Sequence, residues 1–297
     1  MNIVCIHGMN QQHQTAQSLK LQWLNVLKKG LSTVKQAEYF SYINRHFRMP
    51  FYGDLLSRQH LSNTLNASTL RPQQWPALLQ HNNLQNPANP IQKHDLQTLR
   101  FIHTDRPQSL VQAFHQCRAI AADWALRDIA LLLNHFPHLH HALLKQFLVE
   151  SYLYLSNPHF ITAVHQRIHQ QLHPTNSNII VAHSLGSVIA YHFLLLHPEL
   201  KIQRFITLGS PLAFQVIQQH LPQPLQRPSA LKGDWLNFYS HEDFLSAIPL
   251  RHTPFDFQPA IINQDIRTSI EHPHDITGYL QHPTVISSLL NSLKKPA

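Results

Sequence analysis

Asn178-Ile179-Ile180-Val181-Ala182-His183-Ser184-Leu185-Gly186-Ser187-Val188-Ile189-Ala190 is the stretch that decides the fold. Ile179 to Ala182 reads as a buried strand, and the apolar run from Ser187 to Leu196 reads as a helix. Only a few residues separate the two, so the chain must turn sharply there, with Ser184 at the turn. A serine hydroxyl is a weak nucleophile. It becomes useful when it is held exposed on a tight turn, beside a base, with a helix N-terminus behind it to stabilise negative charge. Residues two before and two after such a serine must be small, because strand and helix backbones pass close together. Ala182 and Gly186 meet that need. The simpler alternative is an ordinary turn in which Ser184 only caps a helix.

Outward from this segment, strand-like and helix-like stretches alternate at both ends of the chain. Asn2 to Ile6 reads as a strand, followed by a helix with Leu19, Trp23, Leu24 and Leu27 on one face that stops near Gly30. Ala37 to Ile43 reads as a second strand, and Phe51-Tyr52-Gly53-Asp54 as a turn before a short helix. After Ser184 come a strand at Arg204 to Leu208, a helix near Leu212 to His220 and a strand at Trp235 to Tyr239. A strand at Ala260 to Asn263 and a closing helix from Asp275 to about Leu293 complete the pattern. Strands separated by helices imply a parallel sheet covered on both faces. The middle third differs. Residues 61–100 hold four Pro, six Asn, six Gln and neither Gly nor Val, which reads as a long irregular insertion. Helical spacing follows, with Leu110, Phe114, Cys117, Ile120 and Trp124, then Leu143 to Leu155, then Ile161 to Leu172.

The Ala-His-Ser-Leu-Gly turn resembles the G-x-S-x-G nucleophile elbow of the α/β-hydrolase superfamily, and its His-Ser-Leu-Gly core is similar to that of lipases and esterases. Ala182 stands where that family usually has glycine. The resemblance covers residues 1–30 and about 178–290. It implies an α/β-hydrolase fold, with a mostly parallel central sheet flanked by helices, in one domain over residues 1–297. A helical cap or insertion over residues 61–172 is expected within it. It further implies an oxyanion hole of two backbone N–H groups, one from Leu185 and one from Met9, which follows the His7-Gly8 turn. In the family the triad runs Ser, acid, His along the chain. Asp243, after the strand Trp235 to Tyr239, is the expected acid, with Glu242 and Asp265 as competitors. His274, just before the closing helix with Asp275 as its N-cap, is the expected base, with His272 as competitor. Gly209-Ser210-Pro211 resembles a turn beside the pocket in lipase-like members, where it would shape the wall.

Composition narrows the remaining choices. There are only 7 glycines in 297 residues, where an average chain would carry about twenty, so each is expected where a side chain is hard to place. No two lie within three residues of each other, which excludes the glycine-rich phosphate loops. Gly30, Gly53 and Gly233 read as ordinary punctuation. Two cysteines, Cys5 and Cys117, do not make a disulfide framework or a metal motif. A net charge of +8 is spread without runs, so nucleic acid is not an expected partner, while a peripheral contact with an anionic membrane suits it. No leader-like segment precedes the first strand, and the expected location is cytoplasmic. His165, His169 and His173 have zinc-helix spacing, but Gln166 replaces the glutamate base, and a solvated polar face is the expected reading. His135, His138, His140 and His141 have no carboxylate or cysteine nearby. No metal and no organic cofactor is expected.

The expected activity is a lipase or carboxylesterase acting on a small-molecule or lipid ester through Ser184, His274 and Asp243. A thioesterase or amidase would use the same triad. A non-catalytic binding module on the same fold is the reading from a different class.

Overall fold

The computed structural model describes residues 1–56, 147, 150, 151, 154–174 and 177–294. In chain order these form β1 (Ile3–Ile6), α1 (Ala16–Thr33), α2 (Phe40–His46), β2 (Phe47–Arg48), α3 (Pro158–Gln171), β3 (Asn178–His183) and α4 (Leu185–Leu196). Then follow β4 (Ile202–Leu208), α5 (Gln215–Gln218), β5 (Trp235–Tyr239), β6 (Ile262–Asp265), α6 (Ile276–Leu280) and α7 (Pro283–Lys294). The strands make one six-stranded sheet in the order β2-β1-β3-β4-β5-β6, and every pairing is parallel. The fold is therefore of the α/β class.

The aliphatic runs become strands because both sheet faces are covered, so every position of β1, β3 and β5 is buried. Successive side chains point to opposite faces and feed two cores. Val4, Ile6, Ile180, Ala182, Phe205 and Trp235 pack with residues of α3 and α4. Ile3, Cys5, Ile179, Val181, Ile206 and Phe238 pack with residues of α1, α6 and α7. β6, at the edge, is the most open strand, with Ile262 and Asp265 exposed.

Several boundaries differ from the sequence reading. Ala37 to Ile43 is not a strand: Ala37–Tyr39 is a 3-10 turn and Phe40–His46 is α2. Ile43 and Phe47, four residues apart, are both fully buried, and β2 begins only at Phe47. α1 does not stop at Gly30 but runs through it to Thr33; glycine stands there because a Cβ would come within 2.8 Å of the Gln281 backbone. That glycine is a packing site, and so are Gly53 and Gly233, whose added Cβ atoms would meet the carbonyls of Gln11 and Gln203. The closing helix is two helices, because Pro283 has no N–H to continue α6 and instead begins α7. The helix expected near Leu212 to His220 is a 3-10 turn at Pro211–Ala213 followed by the single turn of α5.

Most of the expected 61–172 insertion lies outside the described residues, as do Cys117 and His135 to His141. Its described end, α3, packs beside β1. Residues 147, 150, 151 and 154–156 are helical. Among the described residues no helix is long and apolar enough to cross a membrane.

Candidate active site

β1 connects to β2 on one side of it, while β3 pairs on its other side, so the strand order reverses between β1 and β3. At such a reversal the loops beyond the strand C-termini diverge and leave a crevice, the usual place for a ligand in an open parallel sheet. The two segments singled out in the sequence end there: His7-Gly8-Met9 beyond β1 and Ser184 beyond β3.

Ser184 has φ 55° and ψ −132°, a backbone conformation that a residue with a side chain rarely adopts. The strain is held by neighbours on all sides. Its N–H donates to the Leu208 carbonyl at 3.0 Å, and its carbonyl accepts from the Ser187 amide at 2.9 Å and the Ser187 hydroxyl at 2.6 Å. Ser187 Oγ also shares a hydrogen bond of 2.7 Å with Ser210 Oγ, which ties the Gly209-Ser210-Pro211 turn to the elbow. Small residues are required here. A Cβ on Gly186 would run into the carbonyl oxygens of Ile6 and His7, and one on Gly8 would lie 2.7 Å from Ser184 Cβ.

Ser184 Oγ lies 2.7 Å from His274 Nε2, and His274 Nδ1 lies 2.8 and 2.9 Å from the two carboxylate oxygens of Asp243. A carboxylate only accepts, so His274 carries its proton on Nδ1 and turns a bare Nε2 to the serine hydroxyl. Asp243 is fully buried and accepts further bonds from Leu245 N–H (3.0 Å), Ser246 Oγ (3.0 Å) and Tyr279 Oη (2.5 Å). Burial alone would raise its carboxyl pKa. The charge of His274 and the bonds from His274, Tyr279 and Leu245 outweigh that and hold it below the usual carboxylate range. Burial and the Asp243 charge push the Tyr279 phenol up, so it remains a donor. Gly209, expected as pocket wall, lies instead behind the acid: its φ is +57°, and an added Cβ would stand 3.0 Å from Asp243 Oδ2.

The carboxylate competitors are occupied elsewhere. Glu242 accepts from Ser240 Oγ at 2.6 Å, and Asp265 faces His241 at 3.4 Å. His272 lines the cavity, whereas the ring bonded to Ser184 is that of His274. Asp275 caps α6 through Thr277 N–H at 2.7 Å, as read from the sequence.

On the β1 side, the His7 ring sets the geometry of the loop. Tyr52 N–H donates to His7 Nε2 at 3.1 Å, so the proton is on Nδ1, which donates to the Gly8 carbonyl at 2.8 Å. Burial lowers the His7 pKa to about 4, which keeps this neutral tautomer. The Gly8 carbonyl and the Met9 N–H belong to one planar peptide and point opposite ways, so fixing one aims the other. Tyr52 Oη donates to the His7 carbonyl at 2.6 Å and secures the same turn. Leu185 is the first residue of α4, where helix N–H groups have no partner within the helix. Neither the Met9 nor the Leu185 amide donates to an acceptor among the described residues.

These groups open onto a cavity of about 620 Å³, whose walls include Met9, Trp23, Phe244, Ile270 and His272, with Ser184 on its floor. The chemistry available is proton transfer from a hydroxyl to an imidazole whose positive form a buried carboxylate stabilises. Sequence reasoning missed Tyr279, Ser246, His7 and His183. His183 donates from Nε2 to the His274 carbonyl at 3.1 Å and stacks on the His274 ring with centroids 5.0 Å apart. Burial, helped by His274, lowers its pKa to about 3. The only signal for His183, Ser246 and Tyr279 was proximity in sequence to Ser184, Asp243 and His274, and for His7 it was its place in the His7-Gly8 turn.

The zinc-like helix reading fares differently from expectation. His165 is buried rather than solvated: its Nε2 bonds Tyr154 Oη at 2.8 Å, and the same hydroxyl bonds His192 Nδ1 at 2.9 Å. Among the described residues no group of three or more His, Cys, Asp or Glu is placed to hold a metal ion. No protein-family model, no curated protein and no solved structure matches this chain.

Proposed function

We propose that the protein is a serine hydrolase of the α/β-hydrolase type that cleaves carboxylic esters, a lipase or carboxylesterase. The observation that carries this reading is the relay from Ser184 Oγ through His274 to Asp243, built on a serine with positive φ at the reversal point of the sheet.

Ser184 Oγ attacks the ester carbonyl carbon as its proton passes to His274 Nε2. Asp243 holds the Nδ1–H and stabilises the imidazolium. The Met9 and Leu185 amides receive the negative charge on the former carbonyl oxygen. Collapse of the tetrahedral adduct expels the alcohol, which takes the proton from His274. Water then attacks the acyl-enzyme as His274 accepts its proton, and the acid leaves with Ser184 restored. No step calls for a metal or an organic cofactor. Apolar walls at Trp23, Phe244 and Ile270 suit an acyl chain.

The test is labelling by a fluorophosphonate probe together with turnover of short- and long-chain p-nitrophenyl esters, in wild type and Ser184→Ala. Labelling and turnover are expected in wild type and lost in the variant. Equal labelling or equal turnover in both removes Ser184 as the nucleophile. Preference for long chains selects lipase over esterase, and faster turnover of matched thioesters or amides selects those activities instead.

A further inference from the structure

One charged side chain from the stretch expected to be an insertion reaches the loop beside Ser184. Glu150 is only 5% exposed, and both of its carboxylate oxygens lie 3.1 Å from the backbone N–H of Asn10, which donates to them. Burying a carboxylate is costly unless it gains strong bonds, and a bond between a peptide N–H and an ionised acceptor is of that kind. The recipient has an unusual backbone: Asn10 has φ 64°, in the region asparagine enters more readily than most residues, and the Glu150 bond helps fix it there. Met9 thus lies between two anchored peptides. On its N-terminal side the Gly8 carbonyl is fixed by His7 Nδ1–H; on its C-terminal side the Asn10 N–H is fixed by Glu150. A third bond, from Gln11 Nε2 to the Met9 carbonyl at 2.9 Å, closes the turn.

We propose that Glu150 is a positioning residue for the oxyanion donor: by holding the Asn10 N–H it keeps the loop in the turn that aims the Met9 amide at the substrate oxygen. The proposal rests on the serine-hydrolase reading. A negative charge in this neighbourhood opposes the oxyanion electrostatically, so if charge were its main effect, removing it would speed the reaction. Positioning predicts the opposite.

The experiment compares wild type, Glu150→Ala and Glu150→Gln, with each preparation titrated by the fluorophosphonate endpoint so that rates refer to competent sites alone. An aryl trifluoromethyl ketone serves as the transition-state probe. Ser184 Oγ bonds to its carbonyl carbon, the proton passes to His274, and the negative charge stays on the ketone oxygen, as in the ester reaction. In Glu150→Ala, kcat per titrated site is expected to fall about tenfold, with KM within about twofold and ketone affinity reduced about tenfold. The Gln side chain keeps an oxygen that accepts from Asn10 N–H, so Glu150→Gln is expected within about threefold of wild type in kcat. A purely structural role would lower the titrated fraction and leave kcat per site and ketone affinity unchanged; that result overturns the proposal. So do an Ala variant in which kcat and ketone affinity do not fall together, a Gln variant that fails to rescue, and a Gln variant faster than wild type. If wild type itself neither turns over esters nor binds the ketone nor is labelled, the hydrolase reading fails and the proposal with it. An active wild type with a normal Ala variant defeats this proposal alone.

Discussion

Mild acid is expected to unfold this protein well before its carboxylates titrate, because four histidines are buried in neutral form. Burial is the largest cause in each case. It lowers His7 and His192 to about 4 and His165 and His183 to about 3, from an ordinary value of 6.5. The folded pKa lies below the unfolded one, so the unfolded chain binds protons first. Stability is therefore fully present above about pH 6.5 and is lost as pH falls from there toward the folded values. At about pH 5.5 each group has cost roughly 1.4 kcal/mol, and the four together about 6 kcal/mol, comparable to the whole stability of an ordinary domain. Asp243 has the same sign but a lower window: its lowered pKa contributes stability above the ordinary carboxylate range, which is lost only at pH values below those assayed. The assay is urea unfolding followed by circular dichroism at about pH 7.5, 6.5 and 5.5, with His192→Gln as control. The unfolding midpoint should fall steeply over this range, and the control should show about a quarter less pH dependence. A midpoint that is the same at pH 5.5 as at 7.5 would refute the reasoning.

Other substitutions test single contacts of the site. Tyr279→Phe removes the hydroxyl that donates to Asp243 Oδ2 and meets Ser246 Oγ at 2.8 Å. A bond to a charged group of this kind is worth about 2 kcal/mol, so kcat/KM should drop by up to about thirtyfold and thermal melting should show a Tm lower by ~4 °C; an unchanged kcat/KM would mean that Asp243 does not need it. Gly186→Ala forces a methyl group against the Ile6 and His7 carbonyls, between β1 and α4. Neither backbone can move without breaking the pairing of β1, an interior strand, or the elbow, so a loss of about 3 kcal/mol or failure to accumulate folded protein is expected; a wild-type melting curve would show that the close approach is absent.

Much of the sheet was legible because its strands are short aliphatic runs bounded by polar turns, and burial on both faces demands that composition. The elbow was legible for a local reason too: a strand, a serine and a helix in immediate succession allow few geometries. Ala37 to Ile43 failed because its period is set by tertiary burial. Tyr39, Phe40 and Ile43 also fit a helix, and β1 finds its edge partner only at Phe47. The proline at position 283 signalled a break that the uniform apolar pattern around it concealed.

Taken alone, the sequence determined the local chemistry: which serine sits on a strained turn, which carboxylate and imidazole follow later strands, and where small residues must stand. Those properties depend on neighbours a few positions apart. Only the tertiary structure decided which groups meet. Asp243 and His274 are 31 residues apart, Ser184 and His274 are 90 apart, and Glu150 and Asn10 are 140 apart. No pattern along the chain encodes such contacts. The triad meets because a parallel sheet brings the C-terminal ends of β3 and β5 to one end of the sheet, where the loops beyond them lie, whereas Glu150 reaches Asn10 from a helical segment. The histidines show the same division. Twenty-five of them look alike in the sequence, but burial keeps His7 and His183 neutral while the Asp243 carboxylate gives His274 its orientation.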